Sequence, residues 1–284
     1  MTRVGTDEDS AGIIRRHWNS VASAWRHFGP PLRPCNEDIE IFRGFAAKYS
    51  GASASEALLL GVTPEIASME WPRPCRLTAI DRSAEMVQVV WPGDVSDRRR
   101  AFVCEWLSAP SAPKGYGVVI GDGCFISTAY PDGHRALGRR VRHLLAPDGM
   151  FLMRFFMQLQ EPEHPEDVLD DLAHGRIGSF HAFKWRFAMS IQKSAGDGVR
   201  LHDIWAAWRH AKVDPESLPT GPGWTSEGIS TIDLYRDKEA RFAFAHPGEI
   251  EAILQEDFEV VERRVPGYEL GERCPILALR PRGQ

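Results

Sequence analysis

Between positions 56 and 156 the chain switches repeatedly between two hydrophobic patterns. Short unbroken apolar runs occupy 56–61 (Glu-Ala-Leu-Leu-Leu-Gly), Arg76–Asp81, Ala101–Glu105, Tyr116–Asp122 and Met150–Phe156. Unbroken runs of this length, bounded by turn residues, fit strands buried on both faces. Between them lie segments with helical signals: Pro64–Ala67, Ser83–Val90 with Ser83 as N-cap, and His134–Leu145, closed by Pro147-Asp148-Gly149. Strand and helix in alternation predict a parallel sheet with helices on both faces. Such sheets bind ligands beyond the carboxyl ends of their strands. Four of the runs end there in Gly61, Asp81, Glu105 and Asp122.

The flanks read differently. Ile13, Ile14, Trp18, Val21 and Trp25 recur at threes and fours and predict a helix over Ser10–Phe28, stopped by Gly29-Pro30-Pro31. A second helix is expected over Asn36–Lys48, with residues 1–10 disordered and 50–53 a loop. Residues 161–245 break the alternation; they are rich in Trp, His and charge and mainly helical (Pro165–Leu172, His202–Lys212), without an evident core of their own. A helix over Pro247–Glu256 and apolar runs at Phe258–Arg263 and Cys274–Leu279 suggest a closing antiparallel hairpin. The expected organisation is a helical cap (1–50), a Rossmann-like core (51–160), an insertion or lid (161–245) and the end of the core sheet (246–284). The fold class is α/β, doubly wound and mostly parallel.

Composition narrows the function. With 284 residues, 43% hydrophobic and 26% charged, the chain is an ordinary globular protein that can bury a full core. A net charge of −5 argues against binding through phosphate neutralisation, and Arg98-Arg99-Arg100 is read as a solvated run. Cys35, Cys75, Cys104, Cys124 and Cys274 form no close pair, so reduced thiols are expected, with no zinc site. Neither a signal peptide nor an 18-residue apolar run is visible, and a cytoplasmic location without membrane contact is expected.

Four segments resemble the class I S-adenosylmethionine-dependent methyltransferases: Leu58-Leu59-Leu60-Gly61, Leu77–Asp81, Val118–Asp122, and Leu144–Leu152 with its Pro-Asp-Gly turn. The closing hairpin and the leading His17-Trp18-Asn19…Ala24-Trp25 are similar to the same family, and the likeness covers about residues 50–160 and 246–284. It implies S-adenosyl-L-methionine as cofactor; the negative charge and the lack of a basic face favour a small-molecule acceptor over nucleic acid, and a protein substrate and a homodimer stay open. Gly61 would let backbone approach the methionine part of the cofactor, with Val62 and Thr63 offering N–H groups, and Asp81 would accept the ribose hydroxyls. Glu105 and Trp106 would meet adenine, and Asp122-Gly123 the sulfonium side. The family's GxGxG signature stands here as Gly61-Val62-Thr63-Pro64-Glu65, with only the first glycine kept. That departure leaves room for a protein that binds the cofactor without transferring methyl. An NAD(P)-dependent oxidoreductase is the third reading, disfavoured because GxGxxG is equally absent.

Methyl transfer is an in-line displacement that rests on positioning, with a base for some acceptors. Candidates for the acceptor pocket are Trp18, Trp25, His134 and Arg154, then His17, His181, Trp185, Trp205 and Arg33. For each the plainer alternative is a core or capping role.

Overall fold

The computed structural model describes residues 7–49, 55–71, 75–214 and 217–283. The loop expected at 50–53 and the first six residues lie outside them. Helix α1 (Asp7–Ala22) begins earlier than expected and ends sooner. The chain then tightens into a 3-10 turn, Trp25–His27, ahead of Pro30-Pro31, which cannot continue a helix. Helix α2 (Asn36–Tyr49) follows and buries Phe42, Phe45 and Ala46.

Five strands then alternate with helices: β1 (Glu56–Leu60), α3 (Pro64–Ala67), β2 (Arg76–Asp81), α4 (Ala84–Val89), β3 (Arg99–Val103), β4 (Tyr116–Asp122), α5 (Asp132–Leu144) and β5 (Leu145–Arg154). After the insertion come α10 (Pro247–Leu254), β8 (Phe258–Arg264) and β9 (Ile276–Pro281). One seven-stranded sheet has the order β3-β2-β1-β4-β5-β9-β8. All its pairings are parallel except those of β9, which runs against both β5 and β8. The expected doubly wound sheet with its closing antiparallel hairpin is present. Strand order reverses between β1 and β4, and the register Leu60↔Ile80 and Leu60↔Gly121 brings the carboxyl ends of three strands to one level.

Three strands differ in their bounds from the expectation by more than one residue; the last spans Ile276–Pro281, where Cys274–Leu279 was expected, because its register is set by β5 and β8 on either side. The third strand spans Arg99–Val103, because its register is set by the one neighbour it has, β2, from Leu77 to Asp81. As an edge strand it buries little, so its apolar content marked its span poorly. Strand β5 starts at Leu145, ahead of the expected Met150, and takes the Pro-Asp-Gly turn into an irregular register with β4.

The insertion holds α6 (Pro165–Ala173), α7 (Phe180–Ile191), α8 (Leu201–His210), α9 (Ser226–Ser230) and a small hairpin of β6 (Val199–Arg200) with β7 (Arg241–Phe242). Its apolar residues belong to a core shared with the rest of the molecule. Phe180, Phe183 and Phe187 of α7 pack with Trp208 and Trp224, and the cluster continues into Ile14, Ile126, Phe156 and Leu270. The insertion is thereby packed onto the body of the molecule. Helix α1 touches both α4 and the turn at 231–235, bridging core and insertion. Among the described residues all five cysteines are free thiols, no cluster suited to a metal ion occurs, and no helix is long and apolar enough to cross a membrane.

Candidate active site

A narrow cleft of about 80 Å³ opens where strand order reverses. Its floor is the strand ends: Gly61, Val62 and Thr63 after β1, Asp81 and Arg82 at β2, and Asp122 and Gly123 at β4. Gly61 has φ 96°, a left-handed conformation that glycine adopts without strain, and its amide donates to the Ile80 carbonyl at 2.7 Å. A Cβ there would meet only Asp81 Oδ2, at 3.9 Å, so the space above this backbone is open. At Gly123 the reason for glycine is different: φ is 64°, and a Cβ would stand 2.4 Å from the Phe156 ring.

Asp81 is buried, and its Oδ1 accepts the Ser83 amide at 2.8 Å. Burial pushes its pKa up to about 6, against the lowering effects of the Ser83 amide and of Arg82. Next to it the Arg82 guanidinium lies 4.6 Å from the Trp106 ring and 3.5 Å from a Glu105 carboxylate oxygen. Trp106 Nε1 is buried without a hydrogen-bond partner, so this corner holds an unused donor, while Arg82 Nε faces the Glu105 carboxylate. Asp122 is held by Arg154, whose Nε donates to Oδ1 at 2.6 Å. Burial raises the Asp122 pKa while Arg154 opposes it.

The opposite wall is aromatic. Helix α1 contributes His17, Trp18 and Val21, the turn after it Trp25 and Phe28, and the insertion Trp185, Tyr235 and Phe242. His17 is buried with its ring centroid 5.5 Å from Trp18, 5.5 Å from Tyr235 and 5.7 Å from Phe242. Burial, then Lys238 and Lys184, drive its pKa down to about 3, so it is a neutral imidazole. Its Nδ1 has no hydrogen-bond partner.

Of the residues expected at the cofactor, Gly61, Val62, Thr63, Asp81, Trp106, Asp122 and Gly123 line this one cleft. Glu105 does not; it turns to Arg82. Of the acceptor candidates, Trp18, Trp25, His17 and Trp185 line it. His134 and Arg154 lie outside. His134 is fully buried against the Phe125 carbonyl (2.9 Å from Nε2), and burial lowers its pKa to about 4. Arg154, also fully buried, joins Asp122, Asp38 (3.2 Å), the Pro31 carbonyl (3.0 Å) and the Tyr268 hydroxyl (3.2 Å). Burial alone would lower its pKa, but Asp122, Tyr268 and Asp38 together hold it well above the usual value. It ties α2 and the β8–β9 connection to the end of β5. His181 contacts the His27 carbonyl at 2.9 Å, Trp205 donates to Asp233 at 2.8 Å, and Arg33 pairs with Glu65; none lines the cleft.

Arg82, Tyr235 and Phe242 line the cleft without having been singled out from the sequence. Arg82 directly follows Asp81 and was within reach of a motif reading. Tyr235 and Phe242 reach the cleft only through the packing of the insertion, which leaves no local signal.

No known family model matches the chain, and no curated protein matches it. Solved structures do. A Rhodobacter sphaeroides protein described as a Zn-dependent alcohol dehydrogenase aligns over 95% of this chain and 99% of its own, with 11% identity and TM-score 0.62. The CcbJ methyltransferase from Streptomyces caelestis aligns over 94% and 98%, with 14% identity and TM-score 0.53. The Burkholderia thailandensis 1,6-didemethyltoxoflavin-N1-methyltransferase, with its namesake ligand and S-adenosylhomocysteine bound, aligns over 100% and 93%, with 14% identity and TM-score 0.50. Identities this low speak for the fold alone. That fold, a seven-stranded sheet closed by an antiparallel ninth strand, is the class I methyltransferase fold.

Proposed function

We propose that this chain is an S-adenosylmethionine-dependent methyltransferase acting on a small-molecule acceptor. The observation that carries the reading is the pairing, at the switch point, of a side-chain-free left-handed residue with a buried strand-end carboxylate. Gly61 leaves open space whose nearest neighbour is Asp81 Oδ2. Asp81 Oδ1 is already engaged by the Ser83 amide, so Oδ2 is the acceptor left for a ribose diol. The unpartnered Trp106 Nε1, on the same cleft, is a donor free for an adenosyl group. The residues present fit the cofactor.

In this reading Gly61, Val62 and Thr63 line the methionine side, Asp81 holds the ribose, Trp106 packs on adenine, and Asp122-Gly123 border the reacting end. Glu105 acts through Arg82, holding it over the Trp106 ring. Bound there, the cofactor supplies an electrophilic methyl group on a sulfonium. The protein's part is to set the acceptor in line with it and to exclude water, which positioning alone can make worth several kcal/mol. Trp185, Tyr235 and Phe242 close the far wall, which makes the 161–245 insertion a lid over the acceptor. A small acceptor fits this enclosed wall and a chain of net charge −5.

Calorimetric titration of Asp81→Ala with S-adenosylhomocysteine tests the reading. Hydrogen bonds to a charged group contribute about 1.5–3 kcal/mol, so affinity should fall at least tenfold with the circular dichroism spectrum unchanged. Undiminished binding would mean the ribose is held elsewhere.

A further inference from the structure

The far wall of the cleft has a chemical character that selects its occupant, provided the methyltransferase reading holds. Its surface is almost wholly aromatic, with His17 set among the rings of Trp18, Tyr235 and Phe242. Trp185 borders the same space, at right angles to Phe242. Flat rings in this arrangement favour a flat guest through edge and face contacts.

An aromatic cage also attracts cations, so charge has to be weighed. Here no carboxylate of the described residues stands among the rings to pair with a cation. Behind this wall the Lys184 nitrogen is fully buried, 4.6 Å from the Phe28 ring and 5.1 Å from Tyr235, and donates to the Thr231 hydroxyl at 2.8 Å; burial holds its pKa well below the usual value, which shows how poorly this side tolerates a positive charge. The cleft's carboxylates lie on the strand-end side, and Asp122 is bound to Arg154. An ammonium guest would meet no carboxylate on the aromatic side.

Three polar groups on this side are at least nine-tenths buried and lack partners: His17 Nδ1, Trp185 Nε1 and Ser127 Oγ. They border the cleft and have nothing in the protein to bond. A guest with one polar edge would satisfy them.

We propose that the aromatic side of the cleft binds a neutral, planar aromatic acceptor carrying a hydroxyl or ring N–H, and that His17 takes the proton lost on methylation. The acceptor oxygen or nitrogen attacks the methyl carbon and forms the new bond as the sulfur–methyl bond breaks. The pair from that bond stays on sulfur, which becomes a neutral thioether. The acceptor's proton passes to the His17 imidazole, which returns it to solvent after product leaves. The methylated acceptor is far more acidic than an imidazolium, so its proton passes to the partnerless His17 nitrogen even though burial holds the His17 pKa down at about 3.

Two probes with the same ring system and different charge test the class: 2-naphthol and 2-naphthylmethylammonium, titrated into the protein saturated with S-adenosylhomocysteine and followed by tryptophan fluorescence. The naphthol should bind at least tenfold more tightly; equal or reversed affinities would overturn the acceptor class. For His17, methyl transfer to 2-naphthol is compared in wild type and His17→Gln. The variant should lose at least 100-fold in kcat, with KM and S-adenosylhomocysteine affinity within about threefold. An unchanged kcat, or no transfer to bound naphthol by the wild type, would overturn the role of His17. Failure of S-adenosylhomocysteine to bind the wild type would strike the underlying methyltransferase reading instead.

Discussion

Asp81 shows how one residue can serve a site at a cost to the fold. Its pKa is raised to about 6 chiefly by burial, so the ionised form that a ribose diol needs is disfavoured in the free protein. Bound hydroxyl donors would stabilise the carboxylate, so cofactor affinity should fall as pH drops through 6. Arg154 is the contrasting case. It lies at the end of β5, next to the cleft, yet all its contacts serve structure: Asp122, Asp38, Tyr268 and the Pro31 carbonyl. Arg154→Ala would leave two buried carboxylates without their cation, and chemical denaturation should show a loss of about 3–5 kcal/mol. A loss below about 1 kcal/mol would mean the cluster is not the clamp described. Gly61 and Asp81 were legible in the sequence because each ends an apolar run. The partners of Arg154 were not, since Asp38 and Tyr268 stand more than 110 positions away on either side. A charged residue in a buried strand announced that it needed a partner, without saying whether that partner was protein or ligand.

At the scale of elements, the strands buried on both faces were readable as unbroken apolar runs, and β1, β2 and β4 occupy the expected positions. Where burial is one-sided the signal thinned, which is why the edge strand β3 was placed two residues late. Helix α7 left no amphipathic trace, because nine of its twelve residues are buried and its apolar surface goes all the way round. That same burial makes it the pillar of the insertion. Phe183 stacks on Phe187 at 5.2 Å and meets Trp208 at 5.2 Å. Phe183→Ala should therefore cost about 3–5 kcal/mol by thermal denaturation. A cost under 1 kcal/mol would show that the insertion core collapses freely around the gap and does not support the cleft wall.

Across the whole molecule, three imidazoles are buried in their neutral form: His17 (pKa about 3), His134 (about 4) and His181 (about 4). A histidine whose folded pKa lies below the unfolded value of about 6.5 contributes fully above that pH and loses its contribution as pH falls toward the folded value. Each approaches about 1.4 kcal/mol per pH unit in this window. The raised carboxyls Asp81 and Asp122 act in the opposite sense, since the folded state binds their protons more tightly. The net expectation is a stability that declines by on the order of 2 kcal/mol per unit between pH 6 and 5. Urea unfolding at three pH values in that range checks it, and a flat profile would mean these imidazoles are hydrated in solution.

The central claim is the identity of the ligand at the switch point of the sheet. Parallel calorimetric titrations of the purified protein with S-adenosylmethionine, S-adenosylhomocysteine, NADH and NADPH test it most directly. The account predicts micromolar binding of the two adenosyl ligands and none of the nicotinamide pair. Silence from the adenosyl ligands, or binding of a nicotinamide cofactor in the same cleft, would contradict it.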